Sequence, residues 1–262
     1  MGPINLIGSG KLATQLAHRM HEVRLPLQQV CSLHFSHARR LADEVGAQAV
    51  ASIEALSPAA LCLVAVHDTA IAEVGRQLKP EQGLAAHTSG GQSLQVLQAV
   101  YPRCGVFYPM QSFSTGIRPD WERIPIFTET TQPDDLPMLE QLGRAMGAAT
   151  YPLASEQRQY LHLGAVFVNN FSNHMMHLAA RSTAPLQERG IPFSVFQGLA
   201  EETVRKVFAL GPEAAQTGPA VRGDEAVINK HIKLLASDPD AQALYRTLTE
   251  AIRAHHTPDP RA

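Results

Sequence analysis

Cysteine is scarce in this sequence, and that scarcity excludes a class of fold. The chain has 262 residues and 3 cysteines. Cys31, Cys62 and Cys104 form no closely spaced pair, and an odd number of cysteines is a poor basis for a disulfide framework. We therefore expect a protein of a reducing compartment, one that depends on a hydrophobic core rather than on disulfide bonds.

The sequence also lacks a membrane span and an excess of positive charge. No apolar run approaches the roughly 18 residues of a transmembrane helix, and the first residues lead into a predicted strand without a charged leader. Lys and Arg total 22 against 24 Asp and Glu, which disfavours a nucleic-acid backbone as partner. We expect a cytoplasmic protein with neither nucleic acid nor membrane as partner.

What is present is the composition and pattern of a soluble α/β protein. Hydrophobic residues make up 45 % and charged residues 18 % of the chain, and the length favours two domains. The first half alternates short apolar runs with helical patterns, as parallel βαβ units do. Predicted strands are Ile4–Ile7, Gln29–Ser32, Ala60–Val66, Gly83–His87, Gly105–Tyr108, Ile124–Phe127 and Ala148–Leu153. Predicted helices are Lys11–Val23, Ala38–Val45 and Asp134–Met146.

After Ser155 the pattern predicts helices only. Ser155 is the expected N-cap of a long helix from Glu156 to about Arg181, followed by helices Ser194–Leu210, Asp224–Leu235 and Asp240–Ala254. The change of pattern predicts an N-terminal Rossmann dinucleotide-binding domain at residues 1–153 and an all-helical C-terminal domain at residues 154–262.

The strongest local motif is a dinucleotide fingerprint, GxGxxA, at the end of the first strand and the start of the first helix. Gly8 permits the tight turn, Gly10 allows the backbone to approach a pyrophosphate, and Ala13 allows close helix packing. A structural glycine turn is the alternative. The predicted cofactor-binding residues of the motif are Gly8, Ser9, Gly10, Lys11, Leu12 and Ala13.

The choice of cofactor depends on the segment after the second strand. An acid about 20 residues beyond the glycines would bind the ribose of NAD, but no carboxylate lies between Glu22 and Asp43. NADP is therefore favoured over NAD; the alternative is that Arg39 and Arg40 are merely solvated. Residues predicted to accept the 2′-phosphate are Ser32, His34, Ser36, Arg39 and Arg40.

Three segments follow predicted strands at the edge of the sheet where ligands bind. Ala65, Val66 and His67 should lie beside the cofactor, although a turn capped by Asp68 explains this segment equally well. The His87–Gly91 segment contributes Thr88 toward the cofactor and His87 and Ser89 as candidate catalytic residues, with a plain turn as the alternative. After the next strand, Gln111 is a candidate substrate contact in what is otherwise an ordinary loop.

Polar residues interrupt the apolar pattern of the long helix. Positions 162, 166, 170, 174 and 177 share one face. Unpaired burial would cost roughly 1–3 kcal/mol per polar group, so these groups should face a ligand, a cleft or one another. We predict His162 and Asn170 to be catalytic and Asn169 and His174 to bind substrate; hydrogen bonds between helices are the alternative. No HExxH motif or cysteine pair supports a zinc site, and no metal is expected.

A last cluster lies near the C-terminus. Asp224 is expected to cap the helix that it precedes, and His231 lies two turns further on the same face. Arg222, in a loop bounded by Gly and Pro, is the better ligand contact because a guanidinium binds a carboxylate with two hydrogen bonds. Both Arg222 and His231 are predicted to bind substrate, with a structural role as the alternative.

Together these segments resemble the Rossmann-like proteins with a helical C-terminal domain of unknown function, relatives of pyrroline-5-carboxylate reductase and the β-hydroxyacid dehydrogenases. The resemblance covers nearly the whole chain. It implies a C-terminal domain like that of 6-phosphogluconate dehydrogenase, NADP binding, a homodimer formed through the helical domain, and an oxidoreductase of undefined substrate. It rests on Gly8–Ala13, His87–Gly90, Tyr108–Gln111, His162–His174 and Thr217–Asp224 with His231.

Two positions depart from these relatives. Leu33 follows Ser32 where such proteins often have arginine, which weakens the case for a phosphate clamp. Val166 occupies the position of the catalytic lysine of the β-hydroxyacid dehydrogenases, although Asn169 and Asn170 remain. Alcohol-dehydrogenase chemistry of that kind would lose its proton donor.

Two functions therefore stay open. One is a reductase that transfers hydride between nicotinamide and a small carbonyl or imine bound at the domain junction. Asn170 and Ser89 would polarise the acceptor, and Arg222 would anchor it. His162 or His87 would donate the proton, since imidazole titrates near neutrality. The other is a non-catalytic NADP-binding homodimer acting as a sensor or regulatory protein, which the missing lysine favours.

Overall fold

The computed structural model describes residues 1–256 and divides the chain into two compact units, Met1–Asn170 and Phe171–Ala262. Residues 257–262 of the predicted helical domain lie outside the described residues. The first unit extends past the predicted boundary at residue 153, because the helix that follows it packs against the sheet through Ser155 and Arg158.

Strands in the described residues of the first unit form one eight-stranded sheet with the order β3-β2-β1-β4-β5-β6-β7-β8. Neighbouring strands are parallel except β6 and β7, which are antiparallel. The confirmed fold class is α/β. The strands are β1 (Ile4–Ile7), β2 (Leu27–Cys31), β3 (Gln48–Val50), β4 (Leu61–Val64), β5 (Leu84–His87), β6 (Cys104–Pro109), β7 (Ile126–Thr130) and β8 (Thr150–Pro152).

Helices cover both faces of this sheet. They are α1 (Lys11–Glu22), α2 (Phe35–Val45), α3 (Ile71–Gln77), α4 (Gln95–Gln98), α5 (Leu136–Ala145) and α6 (Ser155–Ala165). Buried residues at i, i+3 and i+4 spacing place one face of α1 and α2 on the sheet. The α2 helix ends at Gly46, which has φ 69° and so adopts the left-handed conformation that favours glycine.

The core has two layers, one on each face of the sheet, because successive strand residues point to opposite faces. In β1, Ile4 and Leu6 belong to one layer, whereas Ile7 belongs to the other. In β4, Leu61 and Leu63 alternate with Cys62 and Val64 in the same way. The cysteines are free and buried.

The sequence did not indicate β3, α3 or α4. Each is short, and β3 has a single buried residue, so its apolar pattern is too weak to distinguish from a loop. Ser155 is not the N-cap that the sequence predicts. Ala154 occupies that position, and Ser155 is the first helical residue, with its hydroxyl engaged by a distant carboxylate.

The predicted long helix is present but is interrupted. Between α6 and α7 (Ser172–Ser182), the residues Val166–Phe171 form a π-helical turn that contains Asn169 and Asn170. Such turns occur frequently at functional sites. The sequence does not reveal this change, because the extra residue of a π-helical turn only rotates the apolar face of the helix and leaves the residue spacing helical.

The described residues of the second unit form helices joined by loops, with no strand. After α7 come α8 (Ala184–Gln187), α9 (Gln197–Leu210), α10 (Pro212–Ala215), α11 (Pro219–Arg222), α12 (Glu225–Leu234) and α13 (Pro239–His256). Asp224 caps α12 as predicted, since its carboxylate accepts a hydrogen bond from the Val227 amide at 3.2 Å. Within residues 1–256, no helix is both long and apolar enough to cross a membrane.

Candidate functional site

A glycine turn links β1 to α1 and forms the predicted dinucleotide cradle. Gly8 has φ +128°, and a Cβ on it would lie 2.1 Å from the Ala65 carbonyl oxygen, so only glycine fits. At Gly10, no described atom lies within 4 Å of an added Cβ, which leaves the amides at the start of α1 open to a ligand. A Cβ on Gly8 would also touch Ala13, at 3.4 Å, which is the close packing that the motif requires.

A cavity of about 660 Å³ lies against this turn. Of the predicted cofactor-binding residues, those that line it are Gly8, Ser9, Gly10, Lys11, Leu12, Ala13, Ser32, Ala65, Val66, His67 and Thr88. The cradle, the cavity and the open helix N-terminus are the features that a dinucleotide requires, so the residues present fit NADP.

The segment after β2 forms one end of the cavity. The hydroxyls of Ser9 and Ser32 are 2.7 Å apart, and Leu33 beside them is 95 % exposed. The remaining predicted phosphate contacts lie at the start of α2 and on its first turns, where they are exposed and outside the lining of this cavity: His34, Ser36, Arg39 and Arg40. Ser32 is thus the member of the predicted set that the structure places in the cavity wall.

Beyond the cavity, β5 ends in the buried His87. Its Nδ1 accepts a hydrogen bond from the Ser89 amide at 3.3 Å, and its Nε2 has no partner among the described residues. Burial, and next the Arg158 guanidinium, lower the pKa of His87 to about 4. The imidazole is therefore neutral near pH 7.

The loop after His87 is fixed by packing against Tyr108 of β6. A Cβ on Gly90 would lie 2.4 Å from the Tyr108 Cζ, so glycine at position 90 is what allows the phenol ring to lie on the loop. The Ser89 hydroxyl closes the turn by accepting a hydrogen bond from the Gln92 amide at 3.0 Å. Burial raises the pKa of Tyr108, so its hydroxyl stays protonated.

Tyr108 in turn contacts His162 on α6. The Tyr108 hydroxyl lies 3.3 Å from the His162 Nδ1, and the two rings meet edge to face. This contact directs the other ring nitrogen, Nε2, toward Gly91. A Cβ on Gly91 would lie 3.6 Å from that Nε2 and 3.8 Å from the Asp68 Oδ2. The His162 imidazole and the Asp68 carboxylate therefore lie close to the bare backbone of Gly91, and we call the gap between these three groups the space at Gly91.

This arrangement includes residues that the sequence analysis did not assign to the site. The sequence predicts only a turn-capping role for Asp68. In the Tyr108–Gln111 segment it indicates Gln111, not Tyr108, as the substrate contact. Arg158 lies one turn before His162 on α6 and is completely buried. The spacing of Ser155, Arg158 and His162 by three and four residues was the available signal for a polar face.

Three other predicted site residues, Gln111, Asn169 and Asn170, are exposed. Gln111 is exposed, and its side-chain oxygen accepts a hydrogen bond from the amide of the adjacent Ser112 at 2.8 Å. Asn169 and Asn170 are exposed on the π-helical turn. For these three residues, contact with substrate or a catalytic role stays a prediction.

The second unit holds the remaining predicted contacts. His174 is exposed and stacks with His177 at a ring separation of 6.1 Å. Arg222 is exposed at the end of α11, a single helical turn rather than the predicted loop, because Pro219 can begin a helix and Gly223 can end it. The His231 Nδ1 and the Tyr245 hydroxyl form a hydrogen bond of 2.9 Å. Their substrate-binding roles stay predictions.

Comparison with known proteins places the chain in a family. A family model described as a domain of unknown function, DUF2520, matches residues 124–252. A Bacteroides fragilis protein described as a "putative NADP oxidoreductase" has 40 % sequence identity and a TM-score of 0.87, with 96 % of this chain and 98 % of that one covered. The chain belongs to the Rossmann-type, DUF2520-containing family of this relative. No curated protein was found to match.

More distant structures share the fold of this DUF2520 family. A Thermotoga maritima protein has 20 % identity and a TM-score of 0.71, covering 97 % of this chain and 98 % of its own. A reductive aminase from Aspergillus terreus, solved with NADPH and ethyl-5-oxohexanoate, has 15 % identity and a TM-score of 0.70, covering 96 % and 93 %. These confirm the predicted combination of a Rossmann fold with a helical C-terminal domain.

The DUF2520 match has a consequence for the site. It begins at residue 124, before β7, and therefore includes Arg158 and His162 but not the glycine cradle or Gly91. The space at Gly91 is thus bounded both by residues of the matched domain and by residues that precede it. In residues 1–256, no group of three or more His, Cys, Asp or Glu side chains is arranged to hold a metal ion.

Proposed function

We propose that the chain is an NADP-dependent oxidoreductase that reduces a small carbonyl or imine at the space beside Gly91. The observation that supports this most is the position of His162, whose Nε2 lies 3.6 Å from where a Cβ on Gly91 would be, at the same sheet edge as the dinucleotide cradle. NADP is also the cofactor named for the Bacteroides fragilis relative.

The cofactor would be held at the turn after β1. The amides at Gly10 and Lys11 would bind the pyrophosphate, and the Ser9 and Ser32 hydroxyls would meet the adenosine ribose or its 2′-phosphate. The absence of a carboxylate after β2 favours NADP over NAD. When bound, the nicotinamide supplies the hydride.

His162 is the proposed proton donor. The hydrogen bond between Tyr108 and its Nδ1 fixes the ring, so that Nε2 stays directed at the space where an acceptor atom would lie. His87 is a poorer donor because its pKa of about 4 leaves the imidazole neutral rather than protonated at pH 7, and because it is completely buried. Ser89, and Asn170 as predicted, would polarise the acceptor.

Asp68 favours an imine over a neutral carbonyl. Its Oδ2 borders the same space as the His162 Nε2. A carboxylate stabilises a positive charge that lies within a few ångströms, and a protonated imine is cationic whereas a ketone is not. The reductive aminase with the same fold was solved in complex with a keto ester, ethyl-5-oxohexanoate, so both acceptor classes belong in the test.

NADPH oxidation with a panel of imines, 2-oxo acids and semialdehydes tests this function. We expect at least one acceptor to be reduced, and His162→Gln to lower kcat about 10²- to 10⁴-fold, as loss of a general acid does. The control is His21→Gln on the exposed face of α1, which should leave kcat unchanged. Equal kcat values for His162→Gln and the parent chain would exclude His162 as the donor.

The sensor remains the second candidate because a specific residue favours it. Val166 stands where the β-hydroxyacid dehydrogenases have a catalytic lysine, and in this chain it begins the π-helical turn. Tight NADPH binding together with no turnover across the panel would support this candidate and overturn the reductase.

We also propose that the chain forms a homodimer through its helical domain. Within Ser172–Ser182 and Gln197–Leu210, which are α7 and α9, no residue is buried. Leu199 is 66 % and Phe208 is 83 % exposed on α9. Exposed apolar helix surface of this extent is typical of a protein interface. A molecular mass of one chain in sedimentation equilibrium would refute the dimer.

A further inference from the structure

Arg158 is a buried cation that the proposed chemistry does not use. Its long side chain is completely buried, and its Nη1 donates to the Glu129 Oε2 at 2.6 Å. Its Nη2 donates to the Gln92 carbonyl oxygen at 2.8 Å and to the Ser155 hydroxyl at 3.0 Å. One guanidinium thus joins three segments: β7, the loop after β5 and the start of α6.

Ser155 completes this network. Its hydroxyl donates to the Glu129 Oε2 at 2.6 Å and accepts from the Leu94 amide at 2.8 Å. The loop that contains Gly90 and Gly91 is therefore tied to α6 at two points, through the Gln92 carbonyl and the Leu94 amide. We define the Arg158 network as the side chains of Glu129, Ser155 and Arg158 together with the Gln92 carbonyl and the Leu94 amide.

Stability alone does not account for such a network. A buried ion pair contributes little net stability, because the removal of both charges from water offsets their attraction. The Arg158 Nε also lacks a partner among the described residues, so the guanidinium is incompletely satisfied. What the network provides is a fixed geometry, since the planar guanidinium aligns its two terminal nitrogens with four acceptors at once.

The geometry that it fixes is that of the proposed site. Gly91 immediately precedes Gln92, whose carbonyl Arg158 holds. His162 lies four residues after Arg158, on the same face of α6. Arg158 is therefore linked to both sides of the space: to Gly91 through the hydrogen bond to Gln92, and to His162 through one turn of α6.

We propose that Arg158 is a positioning residue, which holds the Ser89–Leu94 loop against α6 and so sets the separation between Gly91 and the His162 Nε2. The proposal rests on the proposed function for its catalytic consequence, but the positioning itself is a property of the chain without cofactor. Arg158 acts through the loop and the helix and does not touch the space directly.

The first arm of the test uses the protein without cofactor and needs no substrate. Amide hydrogen exchange is measured for Arg158→Lys and for Ser155→Ala, a milder variant that retains the ion pair. We expect the Gln92 and Leu94 amides to exchange at least about 10-fold faster in both variants, since each loses a tie between loop and helix. Unchanged exchange of both amides in both variants would overturn the proposal.

A matched control separates this effect from general destabilisation. Arg103 forms a two-bonded pair with the buried Asp135, at 3.0 and 2.7 Å, outside the Arg158 network. Arg103→Lys should lower the melting temperature without accelerating exchange at Gln92 and Leu94. The same acceleration in Arg103→Lys would show that the loop responds to any loss of stability, which would overturn a specific role for Arg158.

The second arm measures turnover with NADPH and whichever panel acceptor is reduced. We expect Arg158→Lys to lower kcat by about 10²-fold, the effect of a displacement near 1 Å in an active site, with a change below about threefold in the dissociation constant of NADPH. An unchanged kcat, together with faster loop exchange, would overturn the catalytic consequence. If no acceptor is reduced, the proposed function fails while the exchange arm still decides the positioning.

Discussion

Gly90 and Gly91 are adjacent, but the structure predicts opposite outcomes when each is replaced by alanine. At Gly91 the new methyl group would lie 3.5 Å from the His162 Cδ2 and 3.8 Å from the Asp68 Oδ2, which are ordinary contacts. The backbone of Gly91 does not have a positive φ, so alanine can adopt the same conformation. Gly91→Ala should therefore fold normally, and the smaller entropy of its unfolded chain can add about 0.4–1 kcal/mol of stability.

The same methyl group would occupy the space proposed for the substrate. One surplus methyl or methylene group in a pocket costs about 1–3 kcal/mol of transition-state binding, or about 10- to 200-fold in kcat/KM. We therefore predict that Gly91→Ala loses activity within this range while its urea-unfolding midpoint is equal to or above that of the parent chain.

Gly90→Ala is the contrasting variant. Its Cβ would lie 2.4 to 2.8 Å from three ring atoms of Tyr108, so the ring must move. Overpacking of this kind costs about 1–3 kcal/mol, which a urea titration measures directly. Full activity in Gly91→Ala would refute the assignment of the space at Gly91, and equal destabilisation of the two variants would refute the reasoning from the two sets of distances.

Three further predictions follow from single side chains. The pKa of His87 is about 4 in the folded chain against an ordinary 6.5. Between these pH values the unfolded chain binds a proton that the folded chain does not, so the free energy of unfolding falls as the pH is lowered. In urea titrations at pH 7 and pH 4, His87→Gln should lose about 3 kcal/mol less stability than the parent chain. An equal loss in the two proteins would contradict this. Ser32→Asp places a carboxylate in the cofactor cavity and should weaken NADPH at least about 10-fold relative to NADH in fluorescence titrations, and an unchanged ratio would refute the placement. Phe208→Glu, at a side chain that is 83 % exposed, should convert the proposed dimer to monomer in sedimentation with little loss of monomer stability, whereas an intact dimer would exclude α9 from the interface.

The sequence predicted the parts of the fold that depend on local pattern. The β1 strand lies at Ile4–Ile7 as predicted, and the turn at Gly8 and Gly10 has the conformation that its glycines imply. These features depend on adjacent residues and on an alternation of period two, which a single sequence displays. The family resemblance and the α/β class, both confirmed, could be predicted for a similar reason, because the motifs that indicate them are local and occur in order along the chain.

The composition of the site could be predicted only in part. Tyr108 and His162 are 54 residues apart, and their contact depends on where α6 packs against β6. The importance of Arg158 depends on its burial, which no pattern of charge in the sequence reveals, because arginine is usually exposed. The antiparallel pairing of β6 with β7 is likewise a consequence of tertiary packing.

Asn169 and Asn170, which the sequence indicated as candidate site residues, lie on a π-helical turn that the periodicity did not predict. In contrast, the sequence indicated Gly91 only as the last residue of the His87–Gly91 segment. Its proximity to His162 and Asp68 becomes apparent only from the three-dimensional contacts. Residue type therefore indicated which segments matter, and the three-dimensional contacts determined which atoms face one another.

Calorimetric titration with NADPH and NADH tests the central claim most directly, because every proposed step requires the cradle at Gly8 to bind a dinucleotide. We predict saturable binding of one NADPH per chain, with NADH binding more weakly. The absence of a binding isotherm for both nucleotides at millimolar concentration would contradict the assignment of the cavity and the function built on it.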